Sequence, residues 1–314
     1  MPRRAPTPTP ARCGPRRAGP LPRVGELFGM AAPDPALSLR IPTAAFLAQR
    51  GLLRARASQA LLQRDTSDLP ARPNPELVER ADAVLEGAGE VLSDQESKVV
   101  LRGHGIEVTR QAFATSASGA ASFADKIGYP VALKALSPDL RRKAEVGAVV
   151  LDVVNAAAAK RAYSEIVTNV EERAPLARLD GVVVAEMIEA GLDLRCGALR
   201  TRSGSVALYA HAVLASPVEP LLARSPLSPT DALLFAEAVL AAIPVPARRR
   251  ASDPDVTVLA RLLLAIDGLM QHTGERLLAV GLDPVRLLPE PTEGAREYVT
   301  LDARIVQRAH LDGL

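Results

Sequence analysis

From residue 93 onward the chain alternates between apolar residues at helical spacing and short apolar runs of strand length, while before residue 92 either pattern is fragmentary. Ser93-Asp94-Gln95-Glu96 reads as a capping box, because the Ser hydroxyl can accept one early N–H and Glu96 can reach back to another. The helix it opens should stop near Gly103 or Gly105, with a short strand through Val108. A second helix is predicted over 118–126, closed by Gly128, and Pro130 leads into a strand over 131–136. Residues 146–153 are β-rich, and Asn155 can cap a helix over 156–170. Three β-rich runs follow at 182–188, 192–200 and 206–214, the last two joined by the hairpin signal Thr201-Arg202-Ser203-Gly204. Helices are predicted from Ser228 to about Ile243 and from Asp253 towards Gln271, then strands at 277–288 and 298–305 around a turn at 289–294. Helices and strands mix without strict βαβ repetition and without an internal repeat, so the expected class is α+β with at least one antiparallel sheet.

Residues 1–35 are Pro- and Arg-rich and carry no hydrophobic period, the mark of a disordered tail. Residues 36–91 read as a helical linker segment: Phe46, Leu47, Leu52, Leu53, Leu61 and Leu62 make one short helical pattern, and a second helix is expected over 76–86. The main domain is placed at 92–306, with a tail at 307–314.

Composition narrows the function. Of 314 residues 48% are hydrophobic and 24% charged, a globular profile, while aromatics are only 3%, which leaves little to stack on bases and argues against nucleic acid. The net charge of +2 reflects a basic first stretch, so the rest is close to neutral. No apolar run approaches the roughly 18 residues of a membrane span. Cys13 and Cys196 stand in unrelated contexts without metal-type spacing, and a reducing cytoplasm is the expected location.

Three places could carry chemistry. Gly128-Tyr129-Pro130-Val131-Ala132-Leu133-Lys134 sets a lysine on a mostly buried strand, where an ammonium needs an anionic partner and a phosphate would serve. Taken alone, a strand-end lysine that snorkels to water is the commoner case. The apolar strand ending at Glu186, then Met187 and Asp193, could line an adenosine pocket, though a plain hairpin with solvated acids has the same pattern. The third place depends on register. With the last turn centred on Thr292 and Glu293, antiparallel partners sum to 585, which sets Asp283 opposite Asp302 (283 + 302). Like charges so placed repel, and Mg²⁺ held with nucleotide phosphates would reverse that.

In order along the chain, LSDQESKVVLRGHGIEV, GYPVALKALSPDLRRKAEVGAVVLDV, VVVAEMIEAGLDLRCG and VGLDPVRLL…YVTLDARI resemble the ATP-grasp domain of the ADP-forming acetate–CoA ligase family, related to succinyl-CoA synthetase β subunits. The resemblance implies an ATP-grasp fold, two subdomains with nucleotide between them, and a family reaction of acid, CoA and ATP giving acyl-CoA, ADP and phosphate. By position, Lys134 matches the lysine that holds phosphates, Glu186 and Met187 the hinge beside adenine, and Asp193 a ribose-binding acid. Asp283 and Asp302 match metal-binding positions. ATP or ADP and Mg²⁺ are the implied cofactors, and a CoA-binding α-type subunit the implied partner. No catalytic residue is assigned.

The departures favour an alternative, a degenerate nucleotide-binding or scaffold domain without turnover. Arg142 stands where the family has a relay histidine, and a guanidinium stays protonated. YAHAVLASPVE (209–219) replaces a glycine-rich loop, and His211 within it reads as a tolerated substitution rather than a nucleophile. Ala279 and Gly281 replace acids that precede the metal-binding position.

Overall fold

The computed structural model describes residue 69 and residues 73–308 apart from 138, 141–142, 202, 215–218, 244–252 and 289–295. The expected tail, the helical pattern at 41–63, Arg142 and the turn at 289–294 lie outside the described residues. The elements are α1 (Pro75–Gly87), α2 (Asp94–Gly103), β1 (Gln111–Ala114), α3 (Ala117–Ile127), β2 (Val131–Leu136), β3 (Val149–Val153), α4 (Ala156–Arg173) and β4 (Gly181–Glu186). They continue with β5 (Leu192–Arg200), β6 (Val206–Ala212), β7 (Leu221–Arg224), α5 (Pro229–Ala241), α6 (Asp253–His272), β8 (Leu277–Leu287), β9 (Tyr298–Thr300) and β10 (Ala303–Gln307).

Two antiparallel sheets organise the fold, one ordered β1-β4-β2-β3 and the other β10-β8-β5-β6-β7 with β9 also on β8. On the smaller sheet Val131, Leu133, Ala135, Val182 and Val184 meet Ala120, Ala124 and Ile127 of α3 and Ala159, Ala162 and Ile166 of α4. Small side chains on both helices let them lie close to the sheet. The larger sheet buries Leu194, Cys196, Leu208, Val280 and Leu282 against α5 and α6, and α1 and α2 join this core through Ala81, Leu85, Val100 and Leu101. Helix α5 buries seven residues around most of its circumference, as a core helix must.

Local chemistry sets the boundaries. The Ser93 capping box forms in full, with Ser93 N–H donating to Glu96 at 2.8 Å and Glu96 N–H to Ser93 Oγ at 3.3 Å. Asn155 caps α4, whose end lies at Arg173 rather than near Val170. Gly128 ends α3 at φ 97°, a left-handed conformation that favours glycine. Three expectations are corrected. The strand expected through Val108 is an isolated bridge to Thr300, and the regular strand starts at Gln111. The single strand expected at 298–305 is two, β9 and β10, because the ladder breaks at Leu301 and Asp302. The run 206–214 ends as a strand at Ala212, and β7, which the pattern did not suggest, pairs with it. Among the described residues no helix is long and apolar enough to cross a membrane.

Candidate functional site

Strand alternation decides which side chains leave the two cores. Val131, Leu133 and Ala135 enter the smaller core, so Ala132, Lys134 and Leu136 turn to the other face of β2. Lys134 is half-buried, and its ammonium makes no hydrogen bond or ion pair among the described residues. Opposed Leu282 and Ala303 both enter the larger core, so Asp283 turns to the opposite face of β8, and Asp302 lies across from it, exposed, at the step between β9 and β10. The pairings 282/303, 280/305 and 285/300 all sum to 585, and Asp283 N–H donates to Asp302 O at 3.0 Å. The register expected from the turn is therefore the register of the fold.

The electrostatics link the two sheets. Asp302 is open to water, yet the protein around it desolvates it enough to raise its pKa. Lys134, Lys98 and Lys143 pull that pKa back down, and Asp94 pushes it up. Lys134 of the smaller sheet is thus near enough to Asp302, between β9 and β10, to act on its charge without an ion pair between them. Asp283 is held differently, by Arg195 Nε at 2.6 Å, on the sheet face that also carries His211. Beneath them Gly197 gives room that a side chain would close, since a Cβ there would stand 2.1 Å from Val280 O and 2.7 Å from Tyr209 Oη.

The proposed adenosine residues are more committed than the sequence suggests. Glu186 is buried and accepts from Arg110 N–H (2.6 Å), Arg110 Nε (2.8 Å), Arg296 Nη1 (2.7 Å) and Arg296 Nη2 (2.9 Å). Burial alone would push its pKa up, but the bonds from Arg296 and Arg110 outweigh that and hold it below the usual carboxylate value. Met187 N–H donates to Pro130 O at 3.3 Å, and its Sδ accepts from Asp152 N–H at 3.1 Å. Asp193 takes both arms of Arg286, at 2.7 and 3.0 Å, while Arg286 Nη1 also donates to Ile188 O and Glu189 O. An ionised carboxylate has about four acceptor sites, so Asp193 keeps capacity for a ribose hydroxyl. His211 is buried with Nε2 unpartnered among the described residues, and burial depresses its pKa, so it sits neutral.

The structure therefore brings Lys134, Asp302 and Asp283 to the faces turned away from the cores, and sets Glu186 and Met187 at the crossing between sheets. Sequence reasoning missed the arginines 110, 195, 286 and 296 that hold these acids, and Lys98 and Lys143 beside Asp302. For Lys98 a signal existed, a charge on the buried stripe of α2. A Mg²⁺–nucleotide would find here an ammonium without a side-chain partner for phosphate oxygens and the carboxylate of Asp302, with Asp283 offering the oxygen that Arg195 does not take. Among the described residues no group of three or more His, Cys, Asp or Glu is arranged to hold a metal by itself, so phosphate oxygens would have to complete such a site.

A four-stranded and a six-stranded antiparallel sheet, each backed by helices, make the architecture of an ATP-grasp protein. The chain belongs to the ATP-grasp domain family, whose pattern matches residues 83–306. It is 31% identical over 234 residues to acetate–CoA ligase [ADP-forming] I of Archaeoglobus fulgidus, covering 74% of this chain and 32% of that protein. It is 26% identical to acetate–CoA ligase [ADP-forming] II subunit beta of Pyrococcus furiosus, covering 72% of this chain and 95% of the subunit. It thus spans about a third of the longer relative and nearly all of the β subunit. Among solved structures it resembles a dinucleotide forming acetyl-coenzyme A synthetase 1 of Ca. Korarchaeum cryptofilum in complex with coenzyme A, Ca-AMPCP and HgCl+. The TM-score is 0.62 and the identity 26%, over 74% of this chain and 99% of that one. The chain is homologous to the β-type ATP-grasp part of ADP-forming acetyl-CoA synthetases.

Proposed function

We propose that this chain is the nucleotide-binding part of an ADP-forming acyl-CoA synthetase, in which acid, CoA and ATP give acyl-CoA, ADP and phosphate. What supports this reading is the placing of Lys134 on the face of β2 turned from its core, within electrostatic reach of Asp302, and the pairing of Asp283 with Asp302 in register. Lys134 holds nucleotide phosphates as a point charge that needs no reorganisation. Asp283 and Asp302 hold Mg²⁺, which when bound offsets charge on the transferred phosphoryl group. The backbone at Glu186 and Met187 borders adenine; the Glu186 carboxylate shapes that border through its arginines instead of touching the base. Asp193, oriented by Arg286, accepts from ribose.

A CoA-binding α-type partner completes the enzyme in this reading, supported by the name of the Pyrococcus relative, a β subunit. The free Cys196 thiol in the core accords with a cytoplasmic home. The degenerate reading gains no observation of its own, since Arg142 and the tip of the altered loop lie outside the described residues.

The test is thermal stabilisation of the full chain by Mg-ADP or Mg-ATP, for wild type and Lys134→Ala. At a hundred times the dissociation constant a ligand stabilises by about 2.7 kcal/mol. The wild type should shift and the variant should not. No wild-type shift at millimolar nucleotide, or equal shifts, would sink the proposal.

A further inference from the structure

We infer that Asp94 and Lys98, on the first turn and a half of α2, are a positioning pair that fixes Asp302 at the nucleotide cleft. Lys98 is only 4% exposed and spends its ammonium on three acceptors: Leu301 O at 2.7 Å, Gln111 Oε1 at 2.9 Å and Asp94 Oδ2 at 2.9 Å. Asp94 Oδ1 accepts from Ala303 N–H at 2.9 Å, and its Oδ2 also accepts from Gln111 Nε2 at 3.0 Å. The residues on either side of Asp302 are thus both gripped, one through its carbonyl and the other through its amide.

This grip lies at the irregular step between β9 and β10, both of which pair with β8: Leu301 N–H still donates to Pro284 O at 2.9 Å, while Leu301 O and Ala303 N–H take their partners from α2. The Asp302 carbonyl is taken by Asp283 N–H, and Ile305 N–H by Ser97 Oγ at 3.1 Å, so α2 reads this turn along its length. Neutral side chains could cap two backbone groups. A buried ammonium held to a half-buried carboxylate costs desolvation that apolar packing would avoid, and the attested use of such pairs is to impose one geometry. Here the geometry imposed is that of the backbone on both sides of Asp302, and with it the direction in which its side chain leaves the chain.

The inference rests on the nucleotide reading for its purpose, and two measurements keep the two separable. In the full-length Lys98→Met variant, amide hydrogen exchange at residues 301–303 should accelerate at least tenfold while β8 amides stay protected. The Mg²⁺ concentration needed for ADP binding should rise about 10–100-fold, the usual effect of losing a partner behind a metal ligand. ADP binding without Mg²⁺ should be unchanged. A purely structural role would lower the melting temperature and weaken both binding modes alike. Should Lys98→Met not fold, Asp94→Asn, which keeps shape but loses the charge that holds Lys98, is read the same way. Unchanged exchange at 301–303 together with an unchanged Mg²⁺ midpoint overturns the positioning role. A wild type that binds no ADP at any Mg²⁺ concentration overturns the nucleotide reading instead, and exchange alone then decides whether the pair fixes Asp302.

Discussion

Replacing Arg296 by Met tests the electrostatic account of the crossing between sheets. The Glu186 carboxylate is 5% exposed, and Arg296 supplies two of its four hydrogen bonds, at 2.7 and 2.9 Å. Removing one partner of a buried pair costs about 3–5 kcal/mol, because a charge is left behind without compensation. Arg110 remains, with one backbone and one side-chain bond, so the expected loss lies lower, at about 2–4 kcal/mol. Arg110→Met should cost only about 1 kcal/mol, since its side chain is 62% exposed and its backbone N–H survives the substitution. Because the folded-state pKa of Glu186 is depressed, the contribution is complete above the ordinary carboxylate value of about 4.3 and is lost as pH falls through the depressed one. Urea unfolding at pH 7 and at steps to below pH 4 measures this. A larger loss for Arg110→Met than for Arg296→Met, or a loss for Arg296→Met that does not shrink in acid, would refute the reasoning.

Gly197→Ala should destabilise by about 3 kcal/mol in urea unfolding, because its Cβ would meet the Val280 carbonyl, which is backbone and cannot move aside. A second expectation concerns His104, which burial and then the nearby His272 hold to a pKa of about 4. The unfolded chain takes up that proton near pH 6.5, so stability should fall as pH drops from about 6.5 to about 4. His104→Gln should flatten that part of the stability–pH profile, and an unflattened profile would assign the slope to other groups.

Local chemistry made much of this fold legible. Ser93 with Glu96, Asn155 before a helix and Gly128 before a strand each act within a few residues, and each acts as read. The 585 register followed from one turn and strict two-residue alternation, and it holds from Ala279 to Val306 and from Leu287 to Tyr298. The partners of the acids were not legible. Glu186 and Arg296 are 110 residues apart and Arg286 and Asp193 are 93 apart, distances over which no periodicity carries information. Surface-looking arginines therefore read as solvated, and the acids they hold read as free. The break at Asp302 was hidden for a related reason, as TLDARI alternates like an unbroken strand and only contacts from α2 show where the ladder lets go.

The clasp on Glu186 also has a mechanical meaning. It ties three stretches together at one buried carboxylate: the end of β4, the segment leading into β1, and the segment leading into β9. The chain passes from the smaller sheet to the larger one through residues 187–191, immediately beyond it. Breaking four charge-assisted bonds at a buried oxygen pair is far costlier than turning a few exposed backbone torsions. Any relative movement of the two sheets would therefore turn most easily about residues 187–191 and leave the clasp at Glu186 intact. Lys134 lies three residue pairs along β2 from Val131, the partner of Glu186, so such a movement would alter its distance to Asp302 more than it alters the clasp.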